Sequence, residues 1–363
     1  MDHDVPTTRE IRALPPAAAL LTGGLLTLIG LTWDVQWHTD VGPDTFFTLP
    51  HLFLYAGSAV SGLASLTAVL MTTAARRAGR PTDPAVGGAP VGVFGRVFTA
   101  PLGYLVAGCG AASFLLYGLW DQWWHGLYGF DAVIDSPPHI GLLTSVMATL
   151  VGTVVVFAAA VDQRWGRIGA IVSLAVLAAF STITVVAFET ISRPVNAVHV
   201  AMAGLMVLIV ATGAAFTRFG GVLVAAALAV VQAVSWWFSP WAAEVYADAV
   251  GLPLRDYVDG VPVMPALMPM VLIPAALLVH PLLTARARWA PALAGAVAGA
   301  LVAGLQVVQN SIVYDFPTPA VSRLLPTALA GAVLGLLAGH AGTRLGGALR
   351  HAKGFPTDES EAS

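Results

Sequence analysis

Ten apolar stretches of about 20 residues each follow one another along the chain, separated by shorter polar segments. A helix needs about 20 mostly apolar residues to cross the hydrocarbon core of a bilayer. These stretches are therefore predicted to be membrane-spanning helices. Their predicted bounds are 15–38, 50–73, 98–122, 138–161, 168–189, 195–217, 219–238, 262–284, 289–311 and 324–342. The pattern predicts an all-α, polytopic membrane helical bundle.

The polar segments divide the chain into four parts. We expect a polar tail at 1–14 and a retained first helix, because no small-residue cleavage signature precedes the end of the first apolar stretch. One helical half covers 15–161, with a polar loop at 74–97, and a second half covers 162–342. The second half is expected to supply either a substrate cavity or a surface for partner subunits. Residues 343–363 are predicted to be a polar tail.

Composition supports the membrane assignment and narrows the chemistry. The 363 residues are 57% hydrophobic and 10% charged, whereas soluble domains carry about 25% charged residues. A net charge of −3 gives no indication of nucleic acid as a partner. Cys109 is the only cysteine, so a metal site would have to use histidine and carboxylate ligands. No phosphate-binding loop, dinucleotide fingerprint or serine-hydrolase motif occurs in a supporting context.

The basic residues predict how the helices are oriented. With ten spans, all but three of the 17 Lys and Arg residues fall on one side of the membrane. The exceptions are Arg193, Arg255 and Arg323. Because basic residues concentrate in cytoplasmic loops, both termini are predicted to be cytoplasmic in a multi-pass protein of the cell membrane.

A sequence motif occurs twice at the opposite, extracytoplasmic ends of the helices. "WDVQWH" ends the first predicted helix, and Pro50-His51 opens the second. "WDQWWH" ends the third predicted helix, and Pro138-His139 opens the fourth. The repeat indicates an internal duplication of a helical hairpin.

The spacing of each motif predicts a cluster of ligands. An Asp and a His four residues apart share one helix face, and the antiparallel partner helix brings a second His to the same level. Two histidines and one carboxylate form a known ligand set for redox metals. The predicted metal ligands are Asp34, His38, His51, Asp121, His125 and His139. A proton relay and an aromatic anchor with solvated acids are alternatives for the same residues.

The Asp-x3-His-x12-His pattern of residues 34–51 resembles the copper-binding motif of a known family. This family is the transmembrane C subunit of particulate methane monooxygenase and ammonia monooxygenase. The second pattern resembles the adjacent copper site of that subunit, although Asp121 stands where the family commonly has Asn. The resemblance covers about residues 30–145. It implies copper-dependent oxygenation of a small, inert substrate with O2 and an electron donor, in which other membrane subunits take part. On ligand chemistry alone iron would fit about as well.

Other polar and aromatic residues near the same membrane face are candidates for supporting roles. Glu189, Asn196 and His199 are predicted to orient a ligand imidazole or to conduct protons. A capped helix boundary, with Arg193 neutralising Glu189, is the alternative. Trp37 and Trp124 are expected to shield the clusters.

The amides that end the ninth predicted span have two interpretations. Gln306, Gln309 and Asn310 are expected either to line a polar end of a cavity or to join helices by hydrogen bonds.

Three functions remain compatible with the sequence. The first is a membrane-embedded metal-dependent monooxygenase that oxidises a small hydrophobic substrate. The second is a metal-ion or proton-coupled transporter, since internal repeats are common in transporters. The third is a non-catalytic subunit that holds metal for a larger complex.

Overall fold

The computed structural model describes residues 8–129, 134–191, 195–258 and 260–351. The helices are α1 (Thr8–Asp40), α2 (Leu49–Arg77), α3 (Leu102–Tyr128), α4 (Pro137–Ala159), α5 (Arg164–Thr184), α6 (Ala197–Ala214), α7 (Gly220–Val250), α8 (Val263–Leu267), α9 (Leu272–Leu283), α10 (Ala290–Val313) and α11 (Val321–His351). A 3-10 helix at Val185–Ile191 follows α5. Ten segments of the described chain are long and apolar enough to cross a membrane, with α8 and α9 forming one of them. The predicted polytopic helical bundle is confirmed.

The two halves of the motif repeat are two antiparallel helical hairpins that lie side by side. α1 packs against α2, α3 packs against α4, and α2 contacts α3. α5 contacts α1, α4, α6 and α7, and its residues from Ala170 to Ala179 are nearly all buried. The hairpins are thus held against a central helix, which fixes their relative positions.

Glycines allow the two helices of each hairpin to approach closely. A Cβ atom on Gly57 of α2 would lie 2.6 Å from the carbonyl oxygen of Gly23 on α1. A Cβ atom on Gly103 of α3 would lie 2.8 Å from the backbone nitrogen of Val156 on α4. Small residues at such contacts let membrane helices pack backbone to backbone. This close packing brings motif residues of neighbouring helices within contact distance.

The loop between the hairpins contains a short β-hairpin. β1 (Pro90–Val93) pairs antiparallel with β2 (Phe98–Pro101). The sequence predicted a polar loop at 74–97 and a third span beginning at 98, but β2 occupies 98–101 and α3 begins at Leu102. The Oγ1 hydroxyl of Thr73 accepts a hydrogen bond from the backbone N–H of Thr99 at 2.9 Å. This bond ties the β-hairpin to α2, at the end of the bundle away from the motif.

Several helices are longer than the hydrophobic pattern predicts. α1 begins at Thr8, inside the predicted tail at 1–14, and α7 and α11 end furthest past their apolar stretches. α7 was expected to end near residue 238 but continues to Val250, because its last turns pack on α1 through Ala243 and Ala247. α11 was expected to end near residue 342 but continues to His351, because Gly346 contacts Ala215 after α6. In both cases contacts between helices extend the structure beyond the apolar stretch.

The helix predicted at 262–284 is broken in its first half. α8 ends at Leu267 and α9 begins at Leu272. Proline supplies no backbone N–H and disfavours helical geometry in the residue before it. Pro265 and Pro269 therefore account for the interruption.

Glutamine side chains from neighbouring helices bind the polar backbone at this break. Gln232 of α7 donates hydrogen bonds of 2.9 Å to the carbonyls of Pro265 and Met268. Gln309 of α10 donates to the carbonyls of Ala266 and Met268, at 2.8 and 3.0 Å. Non-helical backbone is tolerated at membrane depth only where such partners satisfy it. These glutamines join helices by hydrogen bonds, which is one of the two interpretations that the sequence allowed for Gln309.

Candidate metal centre

The first motif folds into a compact group of four side chains, here called cluster 1: Asp34, His38, Asp44 and His51. The Nε2 atom of His51 lies 3.1 Å from Asp34 Oδ1 and 3.3 Å from Asp44 Oδ2. The Nε2 atom of His38 lies 3.2 Å from Asp44 Oδ2. The donor atoms of Asp34, His38 and Asp44 lie within 4.8 Å of one another and could hold a metal ion.

The second motif forms an analogous group, here called cluster 2: Asp121, His125 and His139. The Nε2 atoms of His125 and His139 lie 3.4 and 3.3 Å from Asp121 Oδ1. The donor atoms of this group also lie within 4.8 Å of one another. The two hairpins thus bring together the six predicted ligands, three from each hairpin. In cluster 1, however, the donor atoms that lie within 4.8 Å of one another include Asp44 in place of the predicted His51.

Asp44 is a member of cluster 1 that the sequence spacing did not single out. It lies in the loop between α1 and α2, and its side chain is only 5% exposed. Burial would raise the pKa of this carboxyl, but the hydrogen bond with His38 and the charge of His51 outweigh that effect and hold it below its ordinary value. The acidic character of the loop was visible in the sequence. Its fold over the two histidines was not, because it depends on the turn at Thr45 and Thr48.

Backbone carbonyls fix the protonation of three imidazoles. The Nδ1 atom of His38 lies 2.9 Å from the Asp34 carbonyl oxygen, and that of His51 lies 3.0 Å from the Thr45 carbonyl oxygen. The Nδ1 atom of His125 lies 3.0 Å from the Gly129 carbonyl oxygen. Because a carbonyl can only accept, each Nδ1 carries the proton and donates it.

The opposite ring nitrogen of each of these imidazoles faces a carboxylate. In a neutral imidazole with Nδ1 protonated, Nε2 presents a lone pair. A lone pair 3.2 Å from the Asp44 carboxylate at His38, or 3.1 Å from the Asp34 carboxylate at His51, is repulsive unless a cation lies between them. A proton or a metal ion satisfies this requirement. Metal-binding histidines characteristically donate their other N–H to a carbonyl or carboxylate, so the residues fit a metal.

Both clusters line one cavity, here called the chamber. Its volume is about 440 Å³. Residues from α1 to α5 form its walls, and all seven cluster residues lie on its surface. Tyr55 of α2 also lines it, with its ring centroid 6.1 Å from that of His51 and 6.3 Å from that of Phe114 on α3. The two clusters therefore share one space.

Among the predicted supporting residues, only Glu189 reaches the chamber. It lies in the 3-10 helix after α5, is exposed, and lines the chamber wall. Asn196 caps α6 by accepting a hydrogen bond from the backbone N–H of His199 at 2.9 Å. The Nε2 atom of His199 lies 3.3 Å from Asn310 Nδ2 on α10, and neither Asn196 nor His199 lines the chamber. Arg193 lies outside the described residues.

Trp37 and Trp124 pack against other aromatic side chains and do not line the chamber. The indole of Trp37 is 1% exposed, packs on Tyr246 of α7 with ring centroids 4.8 Å apart, and donates to the Pro43 carbonyl at 2.8 Å. Trp124 packs on Tyr128 with ring centroids 4.6 Å apart. Neither indole lines the chamber. Trp37 therefore anchors the end of α1 to α7, next to the loop that carries Asp44.

Arg255, in the loop after α7, is a second contributor that the sequence did not indicate. Its guanidinium donates to the carbonyls of His38 and Thr39, at 2.9 and 3.3 Å, and its backbone N–H donates to the Asp40 carbonyl at 2.8 Å. These bonds satisfy the last carbonyls of α1, and a cation is favourable at a helix C-terminus. Arg255 thereby stabilises the turn that presents His38. Its only signal in the sequence was that it is one of three basic residues on the side predicted to be extracytoplasmic.

Comparisons of the chain with protein-family models, with curated proteins and with solved structures each give no match.

Proposed function

We propose that the protein is a membrane-embedded, metal-dependent monooxygenase that oxidises a small hydrophobic substrate with O2. What carries the proposal is the orientation of the imidazoles in the two clusters. The Nδ1 protons of His38, His51 and His125 are bound to backbone carbonyls. The Nε2 atoms of all four imidazoles face carboxylates, and both clusters open onto one chamber. Metal ligation through Nε2 relieves the opposed lone pairs and leaves a redox ion next to an apolar cavity.

Different residues would bind the metal ions and the substrate. Cluster 1 and cluster 2 would each hold one copper ion, with iron as the alternative, because histidine and carboxylate ligands suit both. The bound ions supply the redox chemistry that activates O2. The apolar wall of the chamber binds the substrate and excludes water. An electron donor is also needed, and other membrane subunits are candidate partners.

The distribution of basic residues supports an orientation in the cell membrane. Both termini would be cytoplasmic and both clusters would lie near the extracytoplasmic face. A cysteine introduced at exposed Asp248, near the end of α7, tests this orientation in a Cys109→Ser background. We expect a membrane-impermeant thiol reagent to label it in intact cells. Labelling that requires lysis would contradict the orientation.

The test of the oxygenase is incorporation of isotope-labelled O2 by purified protein in nanodiscs, loaded with copper or iron and supplied with a chemical reductant. We expect one labelled oxygen atom in the hydroxylated product, and none with the double variant His38→Ala/His125→Ala. A metal-loaded protein that produces no labelled product with any reductant would point to the metal-holding subunit.

We expect Asp44→Asn to weaken metal binding at cluster 1 only. The amide keeps the shape of the side chain but removes the negative charge that faces both His38 and His51. The affinity of one of two sites should fall by about 10–100-fold, as measured by competition with a chelator. Asp248→Asn, an exposed position on α7, is the matched control and should bind as the wild type does. Unchanged affinity in Asp44→Asn would show that the negative charge of Asp44 does not contribute to metal binding at cluster 1.

A transporter is the second candidate, because the chain contains a discontinuous membrane helix, broken between α8 and α9. Discontinuous membrane helices often form ion sites in transporters, where unwound carbonyls coordinate the ion. Here the carbonyls of Pro265, Ala266 and Met268 are already hydrogen-bonded to Gln232 and Gln309. This bonding favours a structural role for the break. If proteoliposomes show a metal-ion or proton flux that disappears in His38→Ala/His125→Ala, the transporter becomes the better-supported function.

A further inference from the structure

The chamber extends inward from the two clusters along three helices. On each helix, an apolar residue of the chamber wall lies seven residues deeper in the membrane than a cluster residue. The pairs are His38 and Leu31 on α1, Asp121 and Phe114 on α3, and His139 and Val146 on α4. Seven residues of α-helix span about 10 Å. The chamber is therefore an elongated space with the clusters at its outer end.

The inner part of the chamber offers contacts only to an apolar molecule. Leu54, Phe114, Leu143, Val146 and Phe180 line it. The hydroxyl of nearby Tyr55 is already donated to the Phe46 carbonyl at 3.0 Å. Among the described lining residues, all carboxylates and imidazoles lie at the outer end, at cluster positions or at Glu189. A ligand thus meets polar groups at one end only.

The charges at the outer end favour a neutral molecule. Four of the described lining residues are carboxylates, namely Asp34, Asp44, Asp121 and Glu189, and none is Lys or Arg. Two bound divalent ions would be balanced by these four carboxylates. An anionic group would therefore enter a site with no net positive charge, and burying an unpaired charge is costly. This distribution disfavours carboxylates, phosphates and sulfates as ligands.

The volume of the chamber is larger than a one-carbon gas molecule requires. A volume of about 440 Å³ lies within the usual range for ligand pockets, about 300–1,000 Å³. A single small gas molecule would leave most of the apolar wall without contacts, and those contacts provide the affinity of apolar ligands.

We propose that the chamber binds a neutral, elongated hydrocarbon or its alcohol, with one end at the clusters and its apolar body between α1, α3, α4 and α5. This assignment deepens the proposed monooxygenase function and rests on it for the reaction. The binding itself rests on the shape, polarity and charge of the chamber.

The test compares two probes that differ in charge, 1-octanol and octanoate, with the full-length protein in nanodiscs at neutral pH. The readout is the thermal unfolding midpoint as each probe is titrated, first without metal and then with copper. We expect a saturable rise with 1-octanol and at least about tenfold weaker binding of octanoate in both states. Equal binding of the two probes would overturn the proposal.

Two variants separate binding in the chamber from effects on the lipid. Val146→Phe fills the inner end of the chamber, and Leu116→Phe adds the same group to α3 at a position that is 69% exposed. We expect 1-octanol to lose its effect in Val146→Phe and to keep it in Leu116→Phe. The same rise in Val146→Phe as in the wild type would contradict binding in the chamber. If Val146→Phe does not fold, Leu31→Phe, which adds bulk at the inner end of the chamber from α1, takes its place in the comparison.

These readouts also separate this inference from the proposed function. Saturable 1-octanol binding by a protein that binds no metal would refute the oxygenase and leave the ligand assignment intact. Metal binding and oxygenation of a one-carbon gas, without 1-octanol binding, would refute the ligand assignment and leave the oxygenase intact.

Discussion

Replacement of His51 with alanine should remove one of two bound metal ions, and replacement of His125 should remove the other. The Nε2 atom of His51 faces both carboxylates of cluster 1, so its loss leaves Asp34 and Asp44 with a single imidazole, that of His38. Partners that only orient a ligand are worth about 10–100-fold in metal affinity. We therefore expect affinity at the altered cluster to fall by more than about 100-fold.

The experiment is metal analysis of each variant after dialysis against a weak chelator. His340→Ala is the matched control, because His340 is an exposed histidine on α11 and does not line the chamber. It should retain both ions. Two ions in either His51→Ala or His125→Ala would show that the corresponding cluster is not a metal site. The circular dichroism spectrum of each variant checks that the helices remain folded.

The Gln309→Leu substitution should strongly destabilise the protein, because Gln309 satisfies polar backbone groups at the break between α8 and α9. The Gln309 amide donates to two carbonyls, and its Oε1 accepts from the backbone N–H of Met270 at 2.8 Å. Leucine leaves the Ala266 carbonyl and the Met270 N–H without these partners. Each unsatisfied buried group costs about 1–3 kcal/mol, so we expect a destabilisation of about 2–6 kcal/mol.

Thermal unfolding in nanodiscs measures this effect. Ile312→Leu, at a position on α10 that is 76% exposed, should unfold at the wild-type temperature. An unfolding temperature in Gln309→Leu within the error of the control would mean that the hydrogen bonds of Gln309 do not hold the break between α8 and α9.

Hydropathy alone predicted the ten spans, because crossing a bilayer requires long apolar segments whatever the packing. It could not predict where contacts between helices override it. α7 continues past its apolar stretch because Trp37 and Tyr246 pack where α1 and α7 meet. Pro265 and Pro269 indicate the break after Leu267, because proline interrupts helices. Summed hydropathy values do not reveal such a break.

The candidate ligands were predicted from spacing, because helix periodicity and an antiparallel turn determine which residues meet. The same reasoning could not find Asp44, whose position depends on loop geometry, or Arg255, which lies more than 200 residues from its partners in α1. It also assigned Trp37 to the clusters, since the sequence does not show that α7 packs on the other face of α1. The chamber depends on five helices and is visible only in three dimensions.

The most direct test of the account is metal analysis of the wild-type protein in nanodiscs, combined with electron paramagnetic resonance of the copper-loaded sample. The account predicts about two ions per chain and a spectrum with hyperfine coupling from imidazole nitrogen, because His38, His51, His125 and His139 would be the nitrogen ligands. A protein that remains metal-free after incubation with copper and with iron would contradict the account. The clusters would then be networks of interacting histidines and carboxylates.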